Sequence, residues 1–595
     1  MKAIRNQQQI SLVLALLGLC GGSLIAAERT PATKPNIVFI LADDLGIVDV
    51  NAYAARFTGA KPAQMFYETP HLDRLVREGT AFAQAYACPL CSPTRSGILT
   101  GRNAARIGFT TAVGWTVRTF YNQAVPPPPG YISQDAIEWP DPNIKIPQAL
   151  LNGTTLDALP AGQPGDLGRD EVTIAEALKG YESAFIGKWH LGGHGSRGWQ
   201  PHDQGFEEIA YFDEGSSPYF NWQPGWDNRK LLYPKMPQPE LLQGKSGDKL
   251  GHEYLTDELT EHAVRFIREH AGEPADGAKK PFFLYLCHFA VHAPFQSPAD
   301  DIKHFESKPT RGWNGHTNAP YAGMLKRLDD SVGRIMEALA TSGLDTNTIM
   351  VFMSDNGGVT YTDPAATCNA PFKGGKALQF EGGIRVPLVF RAPGRVPAGQ
   401  WCEVPVDYSD LFPTFLELAG QKTSMQKNID GRSLVPLFAD PANKKRGYPR
   451  DTFYWHYPFN VIVKNPDDGQ PAAPHSTIRE GDWKLMFDWS GVMKLYNIAK
   501  DPFERDDLSA QQPEKAVRLF RKLNDWLDKN VAVKYLPALN PDYDPAKEVR
   551  ARPFVDLRKQ YLGDRRAIRR ADTDPRFEIL KRMKQAKPVP SLSGS

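Results

Sequence analysis

The chain of 595 residues has few cysteines, no large excess of either charge, and no internal repeat. Six cysteines in this length exclude a small scaffold built on disulfide bonds. The 70 Lys and Arg residues nearly balance the 68 Asp and Glu residues. This balance excludes a polycationic, histone-like protein and a disordered acidic chain. We therefore expect a large folded protein with no nucleic-acid partner.

Glycine and proline, in contrast, are abundant, with 50 residues each. Together they make up about one residue in six, where about one in eight is usual. This excess predicts many ordered loops between the elements of the fold. At roughly 100–200 residues per domain, the length allows a large core and more than one domain.

Residues 1–27 are predicted to be a signal peptide. Lys2 and Arg5 precede an apolar stretch from Ile10 to Cys20, and the small residues Ala26 and Ala27 follow. The apolar stretch is shorter than the roughly 20 residues that cross a bilayer as a helix. We therefore expect cleavage near Ala27 and an exported protein, periplasmic or secreted, with no stable membrane span.

Apolar runs alternate with helical patterns through most of the chain. The runs lie at 36–42, 183–187, 281–289, 348–353 and 386–390, and the helical patterns at 69–78, 254–269 and 321–340. This alternation predicts an α/β fold with a large mixed, mostly parallel sheet flanked by helices. Thr69 is expected to cap the first of these helices. Ligands of such folds bind at the carboxyl ends of the strands.

Two changes of pattern divide the chain into a catalytic α/β domain over 28–440 and a smaller α+β domain over 441–535. Residues 111–169 interrupt the first domain with a long loop rich in proline and glycine, and loops of this length are functional or disordered. The second domain contains short predicted strands at 476–479 and 483–487 and a helix at 513–529. Residues 536–595 form a basic C-terminal extension.

Oxygen-bearing side chains follow two of the predicted strands. Asp43 and Asp44 come directly after the first apolar run, and Asp355 and Asn356 follow the run at 348–353. Carboxylate and amide oxygens suit a hard cation such as Ca²⁺ or Mg²⁺, although the same residues also favour ordinary turns. No Cys/His spacing in the chain predicts structural zinc.

The segment that begins at Cys88 contains a second motif. Cys88 and Cys91 have the spacing of a redox pair or half a metal site, but no second pair exists. This interpretation also gives no role to Pro93 and Arg95. The pattern Cys91-x-Pro93-x-Arg95, followed by Gly101-Arg102, resembles instead the signature of the type I formylglycine-dependent sulfatases, a family of the alkaline phosphatase superfamily.

Further segments over roughly residues 35–530 resemble the same family in order and spacing. They are Gly187–Gly192, Val291–Pro294, Leu328–Gly333, Phe372–Lys376, Glu381–Pro387, Trp483–Leu485, Leu495–Asn497 and Asp501–Pro502. The resemblance implies hydrolysis of sulfate monoesters by a secreted enzyme. It also implies that a formylglycine-generating maturation enzyme oxidises Cys91 to formylglycine (3-oxoalanine), whose hydrated diol attacks sulfur and later expels sulfate.

The same resemblance assigns roles to other residues. With Cys91, four side chains would hold Ca²⁺, with Mg²⁺ as the second choice: Asp43, Asp44, Asp355 and Asn356. Asp355 would be the base on the attacking hydroxyl, and Arg95 would hold the diol. Three residues would bind sulfate, namely Lys188, His292 and Lys376, with His292 or Lys376 protonating the leaving oxygen. His190 would deprotonate the second hydroxyl.

Some histidines and cysteines are expected to have no part in this chemistry. His288 is predicted to be a hydrogen-bonded core residue. Cys287, Cys368 and Cys402 are predicted to be buried thiols or to include one disulfide.

The motifs describe the sulfate end of the substrate and leave three functions to compare. The first is hydrolysis of sulfate esters on sulfated carbohydrates, in glycan degradation. The second is hydrolysis of phosphodiesters or phosphonate monoesters, and the third is noncatalytic binding of sulfated glycans with Cys91 unmodified. Specificity is expected to come from 111–169, from 211–250 with Trp222 and Trp226, and from loops near His475. Aromatic side chains there could stack on sugar rings, but core packing explains them equally well.

The C-terminal extension is strongly basic. Residues 547–587 contain 14 Lys and Arg against 6 Asp and Glu. One interpretation is a solvated extension packed over the surface, and the other is an electrostatic binding site for a sulfated polymer.

Overall fold

The structure is a computed structural model that describes residues 34–112, 150–151, 171–191, 201–213, 219–220, 222, 251–272, 280–309, 312–362, 365–423, 426, 428–441, 447–458, 463–469, 472–539 and 554–569. The predicted signal peptide, most of the 111–169 insertion, Trp226 and the end of the basic extension lie outside these residues. From Pro35 onward, the described residues belong to one compact unit.

The apolar runs form the centre of a mixed sheet of eight strands within this described part of the chain. The strands are Asn36–Ala42 (β1), Thr80–Phe82 (β2), Glu182–Lys188 (β3), Glu208–Asp213 (β4), Phe282–Cys287 (β5), Thr348–Ser354 (β6), Leu388–Arg391 (β7) and Gln400–Cys402 (β8). Their spatial order is β8-β2-β7-β6-β1-β5-β3-β4. Neighbours pair in parallel except β7, which runs antiparallel to β6 and β2. The predicted mixed, mostly parallel sheet is confirmed.

Both faces of this sheet are covered. Along β1, the side chains of Ile37, Phe39 and Leu41 enter one apolar cluster, whereas Val38 and Ile40 enter the other. Successive side chains of a strand point to opposite faces. A continuous apolar run is therefore what a strand between two helical layers requires.

Most of the helices supply these layers, and the last two pack in the C-terminal region. The helices are Asn51–Thr58 (α1), Pro70–Glu78 (α2), Cys91–Thr100 (α3), Ile174–Ala177 (α4), Leu255–Glu269 (α5), Ala299–Ser307 (α6), Ala319–Thr341 (α7), Glu381–Ile384 (α8), Leu411–Leu418 (α9), Val435–Ala439 (α10), Pro513–Asn530 (α11) and Leu557–Leu562 (α12). Short 3₁₀ turns lie at Ile47–Asp49, Pro62–Gln64, Pro201–Gln204, Asp345–Asn347, Tyr408–Asp410, Val533–Tyr535 and Asp564–Arg566. Among the described residues, none of the helices has the length and apolar character needed to cross a bilayer.

The observed cap of α2 is different from the predicted one. Thr69 makes no side-chain cap hydrogen bond; its hydroxyl accepts the Asn51 amide and donates to Asp73. Asp329 of α7 instead accepts the backbone amides of His71 and Leu72 at 3.0 and 2.7 Å. A residue more than 250 positions away therefore satisfies the first turn of α2, which local sequence patterns do not reveal.

The apolar run at 386–390 is divided between two sheets. Arg385–Val386 pairs with Ala85–Tyr86, which also pairs with Val406–Asp407 in a small second sheet. Pro387 has no backbone N–H, and the chain enters the main sheet only at β7. A further short pair joins Leu150–Leu151 to Ala538–Leu539.

The C-terminal region contains a four-stranded antiparallel sheet within the described residues. Its strands are Thr452–Tyr457 (β9), His475–Glu480 (β10), Trp483–Asp488 (β11) and Val492–Asn497 (β12), in that spatial order. The apolar stripe of α11, including Leu519 and Leu523, packs with Ile478 and Leu485 of this sheet. This arrangement agrees with the predicted strands and helix.

Part of the basic extension packs on α11. Arg558 donates to Asn524 and Asp528 at 2.8 and 2.7 Å, and Arg566 donates to Asp525 and Asp528. For these two arginines, a packed extension is the correct interpretation.

Candidate active site

Three strands of the main sheet bring charged residues to one edge. Asp43 follows β1, Asp355 follows β6, and Lys188 is the last residue of β3. All three are buried. Because parallel strands end at the same edge of a sheet, these predicted site residues meet there. The Lys188 ammonium lies 2.6 Å from Oδ2 of Asp43.

Helix α3 brings the predicted nucleophile to this edge. Cys91 is its first residue, and Arg95 lies four positions later on the same face. Gly97 allows close packing of α3, since a Cβ there would lie 2.0 Å from the ring of Tyr408. The Cys91 thiol and carboxylate oxygens of Asp43 and Asp355 all lie within 4.8 Å of one another.

Arg95 connects the nucleophile helix to both strand ends. Its guanidinium donates twice to Oδ2 of Asp355, at 3.0 and 2.8 Å, and once to the carbonyl of Lys188 at 2.8 Å. It also lies 3.9 Å from Oδ1 of Asp43. A planar guanidinium suits this bidentate contact, and a lysine in its place would lose it.

Lys376 and Asn356 both contact Asp44. The Lys376 ammonium lies 2.6 Å from Oδ1 and 2.8 Å from Oδ2 of Asp44. The Asn356 amide donates to Oδ1 at 2.8 Å. Asp44 also donates its backbone N–H to Asp355 at 3.2 Å. The structure therefore brings all four predicted oxygen donors to one site.

The backbone at this site adopts conformations that ordinary residues avoid. Asp44 has φ of 62°, His190 has 57° and Ala377, next to Lys376, has 72°. Each left-handed residue costs about 1 kcal/mol or more. The surrounding packing holds these residues in place, as is typical of functional sites.

The buried charges at the site balance. Three carboxylates, Asp43, Asp44 and Asp355, face three cations, Arg95, Lys188 and Lys376. Burial acts to raise the pKa of Asp44, but Lys376 and neighbouring cations hold that pKa below its ordinary value. For Asp355, burial and the charge of Asp43 raise the pKa, against the effect of Arg95.

Two buried oxygen atoms at the site accept no hydrogen bond from the part of the chain that the structure describes. Among the described residues, no hydrogen-bond donor reaches Oδ1 of Asp43 or Oδ1 of Asn356, and both atoms are buried. Buried polar atoms without a partner are costly, so such atoms indicate a ligand. A carboxylate oxygen and an amide oxygen close to the carboxylate of Asp355 fit a hard divalent cation. Such a cation would also relieve the repulsion between the carboxylates.

The predicted histidines separate into two kinds. His292 lies with Nε2 at 3.6 Å from Oδ2 of Asp44, and its Nδ1 contacts the carbonyl of Ala293 at 2.7 Å. Burial and Lys376 lower the pKa of His292 to about 3. His190 is buried just beyond β3. His288 contacts Ser331 at 3.0 Å inside the core, as predicted.

The cysteines in the described part of the chain are free thiols. Cys88, Cys287 and Cys402 are buried and Cys368 is partly exposed, and none of them forms a disulfide. The structure therefore contains no oxidised Cys88–Cys91 pair. For Cys287, Cys368 and Cys402, the disulfide alternative is wrong and the free thiol is correct.

Two residues that the sequence placed near the substrate are buried instead. Trp222 is 1% exposed within an apolar cluster. His475 is buried in β10, with Nδ1 against the carbonyl of Ala473. For Trp222, core packing is the correct alternative, and the role of the loops near His475 stays a prediction. An aromatic residue in a loop-rich segment has the same composition signal whether it packs inside or lines a cleft.

Sequence reasoning missed a tyrosine beside the site. Tyr361 is 43% exposed, although large hydrophobic side chains in the described residues are mostly buried. Burial raises the pKa of its phenol, and Lys376 and Asp44 lie near enough to affect that pKa. Its position five residues after Asn356 was the available signal, since loops after parallel strands line the binding cleft.

Comparison with known families agrees with this architecture. A family model described as Sulfatase matches residues 35–421. A second, described as N-sulphoglucosamine sulphohydrolase, C-terminal, matches residues 375–531. The chain belongs to the sulfatase family, within the alkaline phosphatase superfamily. The predicted family and enzyme class, a sulfuric ester hydrolase, are confirmed.

Individual relatives extend over most of the chain. An N-acetylgalactosamine-6-sulfatase from Rattus norvegicus is 32% identical over 78% of this chain and 74% of its own length. A sulfatase from Formosa agariphila is 28% identical over 92% and 98%. The crystal structure of Ps i-CgsB with k-i-k-neocarrahexaose is 29% identical, covers 84% of this chain and 93% of its own, and has a TM-score of 0.61.

Proposed function

We propose that the protein is an exported sulfatase that removes sulfate from sulfated carbohydrates, with a formylglycine made from Cys91 and a bound Ca²⁺ ion. The observation that supports this most directly is the convergence of Asp43, Cys91 and Asp355 within 4.8 Å. Oδ1 of Asp43, beside them, and Oδ1 of Asn356 accept no hydrogen bond from the described residues.

The chemistry of Cys91 argues against the unmodified thiol as the nucleophile. Burial raises the pKa of the Cys91 thiol above its ordinary value, so the unmodified side chain is protonated and a weak nucleophile at neutral pH. Oxidised to formylglycine by a maturation enzyme, the residue would supply a diol that attacks sulfur and later releases sulfate. Asp355 is placed to accept the proton of the attacking group, and Arg95 holds Asp355 in place.

The proposed cation ligands are Asp43, Asp44, Asp355, Asn356 and the modified Cys91. A divalent cation would supply Lewis-acid polarisation of the nucleophile and of the sulfate. Because the three carboxylates and three side-chain cations at the site already balance, a bound cation makes the site positive and favours an anionic ester. Oxygen donors alone suit Ca²⁺, with Mg²⁺ as the second choice.

The remaining residues bind and protonate the substrate. Lys188 and Lys376 are proposed to contact sulfate oxygens, which is supported by the burial of both side chains at the site and by their ion pairs with Asp43 and Asp44. His292 is neutral near pH 7 because burial lowers its pKa to about 3. It therefore takes part as a hydrogen-bonding group, and Lys376 is the better donor of a proton to the leaving oxygen. His190 is proposed to accept the proton that accompanies sulfate release.

The carbohydrate part of the proposal rests on relatives and on Tyr361. One relative is named N-acetylgalactosamine-6-sulfatase, and one similar structure was solved in complex with k-i-k-neocarrahexaose. Tyr361 presents an exposed ring beside Lys376, and aromatic rings with one polar end suit the face of a sugar. Glycan degradation outside the cytoplasm also agrees with the predicted signal peptide.

The test is a panel of substrates assayed with protein that was co-expressed with a formylglycine-generating enzyme. The panel contains 4-nitrophenyl sulfate, 6-O- and 4-O-sulfated monosaccharides, a phosphonate monoester and a phosphodiester. We expect the highest kcat/KM on a sulfated sugar. A higher kcat/KM on the phosphonate monoester or the phosphodiester would favour that second function. No turnover by protein whose Cys91 stays unmodified after this co-expression would favour a glycan-binding protein.

A further inference from the structure

We propose that Glu504 and Lys484, from the C-terminal region, are positioning residues for residues 373–383, called here the lysine loop. This loop carries Lys376, so the inference rests on the proposed function. It assigns to the C-terminal region an indirect part in catalysis, through the placement of one proposed sulfate-binding residue.

Glu504 contacts the lysine loop near both of its ends. Its Oε2 accepts the backbone N–H of Glu381 at 2.6 Å. Its backbone carbonyl accepts the ammonium of Lys373 at 3.1 Å. The side chain is fully buried, and the backbone has φ of 57°, a left-handed conformation that is costly for a glutamate.

Lys484 of β11 forms ion pairs with both Glu504 and Glu381 of the lysine loop. Its ammonium lies 2.9 Å from Oε1 of Glu381 and 2.8 Å from Oε1 of Glu504, and all three side chains are buried. Oε2 of Glu381 accepts the hydroxyl of Tyr86 at 2.8 Å and the guanidinium of Arg385 at 3.2 Å. These residues, Glu381, Lys484, Glu504, Tyr86 and Arg385, are called the Glu381 cluster below.

The middle of the lysine loop is attached to the active site. The backbone N–H of Lys376 donates to the carbonyl of Gly358 at 3.1 Å, two residues after Asn356. The N–H of Ala377 donates to the carbonyl of Pro89 at 2.7 Å, two residues before Cys91. A shift of the loop would therefore move the Lys376 ammonium relative to Asp44 and Cys91.

A purely stabilising role explains the cluster less well. Burying several charges costs several kcal/mol per ion in desolvation, and apolar residues of similar volume often stabilise a protein as much or more. Hydrogen bonds of fixed direction, in contrast, place a backbone segment precisely enough for catalysis, where a displacement of about 1 Å can cost about 100-fold in rate.

The experiment is a double-mutant cycle of Glu504→Gln and Lys376→Ala on the panel ester with the highest turnover. Glutamine retains an acceptor for the Glu381 N–H but removes the charge that faces Lys484. We expect Glu504→Gln alone to lower kcat/KM about 10- to 100-fold. In the Lys376→Ala background, the further loss should be less than about 3-fold, because the positioned group is already absent.

Glu480→Gln is the matched control. Glu480 lies in the same C-terminal sheet but pairs with Arg518 and Lys522 at the surface, so kcat/KM should be unchanged. Equal losses from Glu504→Gln in both backgrounds would overturn the positioning role while leaving the proposed function intact. Wild-type kcat/KM in Lys376→Ala alone would overturn the proposed role of Lys376, and the positioning role with it.

Lys373→Met is the second variant if Glu504→Gln is not recovered as folded protein. Lys373 is partly exposed and donates to the Glu504 carbonyl, so its loss leaves the buried charges in place. We expect a smaller decrease in kcat/KM that again disappears in the Lys376→Ala background. A decrease of the same size in both backgrounds would overturn the inference.

Discussion

The molecule contains two buried clusters of charge that differ in how completely their oxygens are bound. At the active site, Oδ1 of Asp43 and Oδ1 of Asn356 receive no hydrogen bond from the described residues. In the Glu381 cluster, Oε1 of Glu504 also accepts no hydrogen bond within the described part of the chain, but it lies 2.8 Å from the Lys484 ammonium. The other three carboxylate oxygens of Glu381 and Glu504 lie within 3 Å of a cation, a hydroxyl or a backbone N–H. Oδ1 of Asp43, in contrast, has its cation, Arg95, at 3.9 Å, so the first cluster has capacity for a ligand and the second is held by close contacts of the protein itself.

This difference distinguishes the catalytic site from residues that position a loop. Both clusters pay a desolvation cost, so burial of charge alone does not identify an active site. Oxygens without donors beside a nucleophile identify the place where a cation and a substrate can bind. Carboxylate oxygens that protein groups contact within 3 Å, beside the C-terminal region, identify residues that fix the position of the lysine loop.

The largest expected effect comes from removing the nucleophile. Cys91→Ala should lower kcat on sulfate esters by about 10⁴-fold or more, the scale seen when a catalytic nucleophile is deleted. The fold should persist, because alanine is tolerated at the start of a helix and leaves only a small cavity at Cys91. Steady-state kinetics measure the loss of kcat, and a thermal melt checks that the fold persists. Turnover close to that of the wild type would contradict the nucleophile assignment.

Removing one cation ligand should have the next largest effect. Asp43→Asn should lower the affinity for Ca²⁺ by at least about 10- to 100-fold, as measured by calorimetry on Cys91→Ala protein. Treatment of the wild type with EDTA should abolish turnover, and added Ca²⁺ should restore it. Glu381→Gln is the control, since the account places its carboxylate outside the cation site; equal losses of affinity would remove the distinction between the clusters.

Breaking the completed cluster should instead change stability. Lys484→Met leaves Glu381 and Glu504 buried without their shared cation, which costs about 3–5 kcal/mol in the free energy of unfolding. Denaturant unfolding measures this loss, and Ca²⁺ affinity should stay within about 3-fold of the wild type. An unchanged free energy of unfolding would show that Lys484 has no structural part.

The smallest predicted effect concerns pH and the C-terminal sheet. Burial lowers the pKa of His456 to about 4, below the ordinary 6.5, and both ring nitrogens are bound, to Ser476 and to the Tyr535 carbonyl. Between these pH values the unfolded chain binds the additional proton. The stabilising contribution is therefore complete above pH 6.5 and is lost as pH falls toward 4, a change of about 3 kcal/mol.

His456→Gln should reduce this acid-dependent loss, measured by denaturant unfolding at pH 7 and pH 4. The reduction should be the same with and without Ca²⁺, because His456 belongs to the C-terminal sheet and the cation site does not. An identical pH dependence of the variant and the wild type would contradict the role of His456.

The sequence predicted the main strands and helices well because their apolar patterns depend on local burial. The continuous apolar run at 36–42 predicted a strand buried on both faces, and β1 covers the same residues. The strand at 386–390 was predicted as one piece, although it divides between two sheets at Pro387. The Thr69 cap was wrong because Asp329 arrives from a distant helix.

The site was predicted by motif resemblance, and its supporting contacts were not. Asp43, Cys91, Asp355 and Lys376 stand in recognisable segments, whereas Glu504 is only a polar residue after Asp501-Pro502. Its buried contact with Glu381 depends on tertiary packing between residues 123 positions apart. Periodicity and composition contain no information about such a contact.

Mass spectrometry of the peptide that contains Cys91 tests the central claim most directly. The protein is expressed with a formylglycine-generating enzyme, and the same peptide from protein expressed without it is the control. The account predicts the aldehyde or its hydrate at Cys91 and an unchanged thiol at Cys88. An unmodified Cys91 thiol in protein that hydrolyses sulfate esters at full rate would contradict it.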